Sequence, residues 1–268
     1  MKLEVITRAP SGKPRPTPLL FVHGSYSGAW VWDRHFLPFF AERGYEAHAL
    51  SLRGHGASEG RELLPFCRLR DYVADLEQVV SALPRPPVLI GHSMGGMIVQ
   101  KVLHRRRVPA TVLMAPVPPH GLLGSMLGIA LANPMLYHEM AWAQALGPRS
   151  VDAGSVRRAL FSDGMPEDEV HYYLDRFQPE STLVIFDLLG LDLPPSRPRL
   201  DLPVLVLGAA NDGFVFSGAL EATARTYRTR PEVLPDIAHA MMLDHGWKAV
   251  ARRILDWLEV ALGDETGW

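Results

Sequence analysis

The stretch LIGHSMGGMIV, residues 89–99, decides how the centre of the chain folds. It continues an apolar run and then places Ser93 between Gly91 and Gly95, two residues away on either side. A short apolar run of this kind is typical of a buried strand, and the residues from Gly95 onward have a helical pattern. Because glycine carries no Cβ, these two positions allow a turn that other residues would block. The stretch therefore predicts a strand, a sharp turn at Ser93 and a helix.

Apolar runs and helical patterns alternate over most of the rest of the chain, which predicts an α/β fold with a mostly parallel sheet and helices on both faces. Strands are predicted over residues 3–7, 19–22, 46–50, 88–91, 111–115, 204–207 and 232–234. Helices are predicted over residues 30–43, 71–83, 95–104 and 247–262. Residues 116–198 interrupt this alternation with helical pieces separated by Pro and Gly. We therefore expect one core domain, residues 1–115 and 199–268, with a helical cap inserted at 116–198.

Composition excludes several classes of protein. The 268 residues carry a formal net charge of −2, so no electrostatic argument favours nucleic acid. No stretch reaches the roughly 20 apolar residues of a membrane span, and stable membrane insertion is not expected. The N-terminal residues lack the apolar core of a signal peptide, which favours a cytoplasmic protein. The sequence contains no phosphate-binding loop, dinucleotide fingerprint or metal-ligand spacing, so neither a metal nor a cofactor is expected.

The turn at Ser93 matches the G-x-S-x-G pattern, in which a strained strand-to-helix turn exposes a serine. A serine hydroxyl is a weak nucleophile and needs a base within hydrogen-bond reach. Met94, at the start of the helix, can offer its backbone N–H to a developing oxyanion. A second N–H must come from a neighbouring loop, and Ser25 in FVHGS, after the strand at residues 19–22, is the candidate. We interpret His23, in the same loop, as a structural histidine.

An acid and a base are expected after the serine in the chain. Asp212 follows the strand at 204–207, and the carboxyl ends of such strands are where α/β sheets place their chemistry. Asp201 precedes that strand, and Asp236 is better explained as a turn residue. His239, in LPDIAHAMML, follows the strand at 232–234 and is the candidate base. His245 is its rival, although its surroundings are more typical of a helix start.

These residues, in this order, resemble the α/β-hydrolase family. The resemblance is carried by His23-Gly24, by GHSMGG at 91–96, by Asp212 and His239, and by LRGHGAS at 52–58. It implies the α/β-hydrolase fold for the sheet and its flanking helices. It also implies a nucleophile at Ser93, a base at His239, an orienting acid at Asp212, and oxyanion N–H groups from Ser25 and Met94.

Residues 116–146 are apolar and rich in methionine, and the first half of this stretch is almost uncharged, which suits an adaptable hydrophobic pocket. Five of its side chains are the candidates for lining that pocket: Leu122, Leu123, Met126, Leu127 and Met135. We therefore expect a small hydrophobic ester as substrate, cleaved through an acyl-enzyme.

Other reactions remain open on the same scaffold. A thioesterase or lactonase would use the same residues, and the sequence does not separate these from an esterase. A C–C lyase commonly has a lysine or a similar polar group in the cap, and residues 116–198 contain no lysine. A non-catalytic binding protein would not need all three of Ser93, Asp212 and His239. The sequence does not indicate an oligomeric state.

Overall fold

The computed structural model describes residues 1–195 and 201–263, whose strands form one seven-stranded sheet. The strands are β1 (Val5–Arg8), β2 (Leu19–Val22), β3 (Ala47–Leu50), β4 (Val88–His92), β5 (Thr111–Met114), β6 (Val204–Ala209) and β7 (Pro231–Leu234). Their order in the sheet is β1-β3-β2-β4-β5-β6-β7. β1 pairs antiparallel with β3, and the other neighbouring pairs are parallel. The mostly parallel α/β-hydrolase sheet expected from the sequence is confirmed.

Helices cover both faces of the sheet and fill the connection between β5 and β6. They are α1 (Trp30–Asp33), α2 (Phe36–Ala41), α3 (Leu69–Ala82), α4 (Met94–Leu103), α5 (Leu123–Ala132), α6 (Pro134–Leu146), α7 (Ala153–Leu160), α8 (Glu167–Leu174), α9 (Thr182–Phe186), α10 (Ser217–Thr226) and α11 (Trp247–Ala261). Further helical turns lie at Arg61–Phe66, Pro148–Ser150 and Asp187–Leu191. None of the helices in the described part of the chain is long and apolar enough to cross a membrane.

The sheet lies between two hydrophobic cores, and the side chains of β2 contribute to both. Leu19 and Phe21 pack into the core under α1, α2 and α11, whereas Leu20 and Val22 pack into the core under α3, α4 and α10. All four side chains are fully buried. Since successive residues of a strand point to opposite faces, a continuous apolar run is required wherever both faces are covered. The apolar run of β2 therefore fits its place inside the sheet, between β3 and β4.

One predicted helix was wrong in detail. The sequence predicted a single helix over residues 30–43, whereas the structure has α1 and α2 with a break at His35. Pro38 explains the break, because proline has no N–H and its ring clashes with the carbonyl four residues earlier. That carbonyl belongs to Arg34, so a regular helix does not continue through this point. The break turns α2 so that Phe36 and Phe40 pack in the core beside the sheet.

The remaining predicted strands and helices are confirmed to within two residues at each end. α10 was missed, although its buried residues Ala219, Leu220, Thr223 and Ala224 have helical spacing. Helices α5 to α9 all lie between β5 and β6, in the segment where the alternation stops. The division into core and cap stays a prediction. Its boundary at 198/199, and residues 264–268 of the core, lie outside the described residues.

Candidate active site

Ser93 occupies a strained turn between β4 and α4. Its backbone has φ +52° and ψ −117°, and a positive φ is uncommon for a residue other than glycine. The neighbouring glycines make the turn sterically feasible. A Cβ on Gly91 would lie 2.5 Å from the carbonyl oxygen of Gly95, and one on Gly95 would lie 2.3 Å from that of Val22. The G-x-S-x-G spacing is thus a packing requirement of this turn.

Ser93, His239 and Asp212 form a continuous hydrogen-bonded chain. Nε2 of His239 lies 3.1 Å from Oγ of Ser93. Nδ1 of the same ring lies 2.9 Å from Oδ2 and 3.0 Å from Oδ1 of Asp212. A carboxylate only accepts hydrogen bonds, so Nδ1 is the donor, and a neutral ring then presents the Nε2 lone pair to the serine hydroxyl. This arrangement can remove a proton from Ser93 while the imidazole is held in one tautomer.

Asp212 is kept ionised despite its burial. Its side chain is 2% exposed, and burial by itself would raise the pKa of the carboxyl. The charge and hydrogen bond of His239 act in the opposite direction, as do the backbone N–H groups of Phe214 and Val215, which donate to Oδ1 at 2.8 and 2.9 Å. Together they hold the pKa of Asp212 below its ordinary value. The loop after β6 therefore presents a carboxylate that can orient a histidine.

The loop after β2 lies directly against the serine turn. A Cβ on Gly24 would lie 3.1 Å from Cβ of Ser93, so a larger residue would push the loop away. The hydroxyl of Ser25 lies 3.4 Å from the sulfur of Met94, which brings the two residues expected to supply N–H groups together beside Ser93. Met94 is also the first residue of α4, where backbone N–H groups have no partner within the helix.

The buried side chain of His23 holds this loop through two hydrogen bonds. Its Nδ1 donates to the carbonyl of Gly24 at 2.7 Å, and its Nε2 accepts from the backbone N–H of Leu52 at 3.1 Å. Burial, together with the nearby charge of His55, lowers the pKa of His23 to about 3, so the ring is neutral. Both ring nitrogens are used within the protein, which is the arrangement of a structural histidine.

The alternative acids and bases lie elsewhere. Asp201 and Asp236 are exposed at the surface. Nδ1 of His245 lies 2.9 Å from Asp244 and 2.8 Å from the hydroxyl of Ser162, and among the described hydrogen bonds His245 has none to Ser93. Asp212 and His239 are thus the aspartate and histidine that the structure brings into a hydrogen-bonded chain with Ser93.

Sequence reasoning missed two residues that hold the His239 loop. The buried carboxylate of Asp244 accepts from the backbone N–H of Ala238 at 2.9 Å and from the hydroxyl of Ser162 at 2.6 Å. Nε2 of His92 donates to the backbone carbonyl of His239 at 2.8 Å. The position of His92 inside the serine motif was a usable signal, whereas nothing local marks Asp244 as a partner of Ser162.

A cavity of about 640 Å³ opens above Ser93. Its wall includes Ser25, Ser93, His92 and His239. The rest of its wall is mostly apolar, and its larger side chains include Leu122, Met126, Ile129, Met140, Ile185 and Phe214. Helices α5, α6 and α9, from the segment between β5 and β6, contribute to this wall.

Three of the predicted pocket residues were wrong. Leu122 and Met126 line the cavity, but Leu123, Leu127 and Met135 are not among its lining residues and are 56%, 58% and 66% exposed. The helical period explains the difference. Leu122, directly before α5, shares one helix face with Met126 and Ile129, whereas Leu123 and Leu127 lie on another face. Because almost every residue of α5 is apolar, composition did not show which face is turned inward.

The chain belongs to the alpha/beta hydrolase family, whose family model matches residues 19–253. It is 37% identical to the non-heme chloroperoxidase of Streptomyces lividans over 110 residues, which are 38% of this chain and 37% of that protein. It is 32% identical to methylesterase 2 of Arabidopsis thaliana over 89 residues, 32% of this chain and 34% of that protein. The matches thus span little more than a third of these relatives.

Solved structures match over nearly the whole chain. An esterase from Thermogutta terrifontis has a TM-score of 0.73 and 20% identity, covering 97% of this chain and 95% of its own. A bromoperoxidase from Bacillus anthracis has a TM-score of 0.74 and 20% identity, covering 96% of each chain. At this level of identity the likeness shows the fold. The resemblance drawn from the sequence motifs is therefore confirmed for both family and fold.

Proposed function

We propose that this protein is a serine hydrolase that cleaves carboxylic esters of small hydrophobic acids through an acyl-enzyme. The observation that carries the proposal is the hydrogen-bonded chain from Asp212 through His239 to Ser93. The strained serine turn and the apolar cavity above it support the same assignment. Methylesterases and probable esterases among the curated relatives also support it.

The proposed reaction uses the contacts among Ser93, His239 and Asp212. Oγ of Ser93 attacks the ester carbonyl, and its proton passes to Nε2 of His239. The negative charge that develops on the carbonyl oxygen is stabilised by the backbone N–H groups of Ser25 and Met94. His239 then returns the proton to the departing alcohol. Water, activated by the same ring, hydrolyses the acyl-Ser93 ester and restores the free serine. Asp212 keeps the imidazole in the required tautomer throughout.

In this proposal, residues 116–198 act as a cap that defines the substrate. Helices α5, α6 and α9 place mostly apolar side chains over Ser93, which favours a hydrophobic acyl group over a sugar or a strongly charged one. A thioester or a lactone would be attacked by the same machinery. A lyase or a purely binding role remains the alternative from another class.

The test is the hydrolysis of p-nitrophenyl esters with acyl chains from acetyl to dodecanoyl. We expect Ser93→Ala and His239→Ala each to lower kcat by about 10⁶-fold while the unfolding temperature stays near that of the wild type. Ser125→Ala is a matched control, since Ser125 also lines the cavity but has no contact with His239 among the described hydrogen bonds, and it should retain turnover. The kcat/KM values for thioesters and lactones with the same acyl group, compared with those for the esters, would rank the three substrate types. Folded wild-type protein that cleaves none of them would contradict the proposal.

A further inference from the structure

Tyr26 follows Ser25 in the loop after β2 and connects that loop to the helices over the cavity. Its backbone lies in the left-handed region, with φ +62°, although it is not glycine. Its hydroxyl donates to Oε1 of Gln144 on α6 at 2.5 Å, across 118 positions of sequence. Both side chains line the cavity above Ser93. A direct hydrogen bond thus joins the loop that carries Ser25 to a helix of the cap segment.

The orientation of the Gln144 amide is determined by its other partners. Nε2 donates to the hydroxyl of Thr182 at 2.9 Å and to the backbone carbonyl of Glu180 at 3.2 Å. A carbonyl oxygen cannot donate, so the amide must present its nitrogen to Glu180 and its oxygen to Tyr26. The phenol must therefore be the donor. Burial, with the negative charge of Glu180, raises the pKa of Tyr26, and the hydroxyl keeps its proton.

The partners of Gln144 are themselves anchored in the core. The buried Glu180 accepts from the hydroxyl of Tyr72 at 2.6 Å and forms an ion pair with the buried His55 at 3.3 Å. The backbone carbonyl of Tyr26 accepts from the N–H of Gln178 at 2.8 Å. Gln178 lies two residues before Glu180, so this part of the chain also holds the loop through its main chain. Tyr26 is thus held at both its side chain and its backbone by residues of the segment between β5 and β6.

We propose that Tyr26 and Gln144 are positioning residues for the oxyanion site, acting on the backbone N–H of Ser25. A left-handed tyrosine is a strained conformation that persists only where its surroundings hold it. Without the hydrogen bond to Gln144 the loop can relax, and the peptide group of Ser25 next to it turns away from the acyl oxygen. The position of α6 and the orientation of the Ser25 N–H toward the oxyanion are then coupled. This inference rests on the proposed esterase function and concerns the same site.

The two roles that Tyr26 and Gln144 could have differ in a measurable way. The oxyanion is common to every ester, so residues that position Ser25 affect all acyl lengths by a similar factor. Residues that merely form the wall of the cavity affect long acyl chains and leave acetate unaffected. A positioning effect also appears mainly in kcat, because the oxyanion forms in the transition state and not in the ground state.

The experiment compares Tyr26→Phe, Gln144→Leu and the double variant on p-nitrophenyl acetate, butyrate and octanoate. We expect kcat to fall about 10- to 100-fold on all three esters, with KM nearly unchanged. The double variant should lose no more than Gln144→Leu alone, since that variant already removes the hydrogen bond to Tyr26 together with those to Thr182 and Glu180. The inhibition constant of a trifluoromethyl ketone, which forms an oxyanion on Ser93, should rise by a similar factor. Tyr172→Phe, on α8 and outside the cavity lining, is the matched control and should leave kcat unchanged.

The outcomes separate this inference from the function on which it rests. A wild-type protein that is active, and inactive as Ser93→Ala, establishes the esterase. If Tyr26→Phe then keeps full kcat, or loses activity only on octanoate, the positioning role is overturned and the esterase stands. Additive losses in the double variant would also overturn the coupling. A folded wild type without activity on any ester would overturn both proposals.

Discussion

The imidazole of His92 donates a hydrogen bond from Nε2 to the backbone carbonyl of His239, 2.8 Å away. The residue before the serine thereby holds the histidine that contacts the serine. The two rings also approach each other, with centroids 4.8 Å apart. Burial, followed by the nearby charge of His239, lowers the pKa of His92 to about 3, so the ring is neutral in the folded protein.

We expect the free energy of unfolding to fall in acid because of His92. Between its unfolded pKa of 6.5 and its folded pKa of about 3, the unfolded state binds a proton that the folded state does not. Stability then decreases by about 1.4 kcal/mol for each pH unit below 6.5 from this group. His92→Gln keeps an N–H for the carbonyl but removes the titration, so its stability should fall less steeply. Denaturant unfolding at pH 7, 6, 5 and 4.5 measures the two slopes.

His138→Gln is the control for this prediction, because His138 lies exposed on α6 and its loss should leave the slope unchanged. Buried His23 also has a pKa of about 3 and contributes to the slope in both proteins. Parallel curves for the wild type and His92→Gln would contradict the account of His92.

The choice of Asp212 over Asp236 is tested by a pair of Asn variants. An Asn at 212 can present its amide N–H to Nδ1 of His239, which favours the wrong tautomer. By analogy with serine hydrolases in which the orienting Asp has been replaced, kcat should fall by about 10⁴-fold in Asp212→Asn. Asp236 is exposed in a left-handed turn conformation, with φ +55°, and Asp236→Asn should keep kcat near that of the wild type. A larger loss in Asp236→Asn than in Asp212→Asn, measured on one ester, would reverse the assignment.

The cavity wall predicts how acyl preference can be altered. Met126 lines the cavity from α5, so Met126→Trp should fill part of it and shift the best p-nitrophenyl ester to a shorter chain. Leu127, the next residue, is 58% exposed and turned to another face of the helix. Leu127→Trp therefore serves as the matched control and should leave the chain-length profile in place. The same shift in both variants would show that the bulk of the residue, and not its direction, causes the change.

Gly95 is expected to be the least replaceable glycine of the serine turn. A Cβ there would lie 2.3 Å from the carbonyl oxygen of Val22 and 2.5 Å from that of His23, both backbone atoms that cannot rotate away. Gly95→Ala should therefore lower the free energy of unfolding by about 3 kcal/mol or more. Gly218→Ala, in α10 with nothing within 4 Å of its Cβ position, should instead raise it by up to about 1 kcal/mol. Equilibrium denaturation compares them, and equal stability of the two variants would contradict the steric argument.

The local chemistry of the chain predicted most of its secondary structure and the serine turn. The apolar run of β2 is recognisable because a strand covered on both faces needs apolar side chains at every position. Gly91 and Gly95 are recognisable because the turn at Ser93 leaves no room for a Cβ. The predicted helix over residues 30–43 was wrong because Pro38 clashes with the carbonyl of Arg34 and the helix breaks at His35. This clash is local, so the break is also a property of the local sequence.

Only the tertiary structure determines the contacts between residues that are far apart in sequence. The sequence contains several aspartates after Ser93, and the contact of Asp212 with His239 depends on β6 and β7 ending side by side. The inward face of α5 could not be read from a helix that is apolar all round, because its orientation is set by packing against the rest of the protein. Tyr26 and Gln144 are 118 positions apart, and no local pattern relates them. Steric clashes and hydrophobic periodicity act over a few residues and can therefore be recognised in the sequence. Contacts between distant side chains depend on how the whole chain packs.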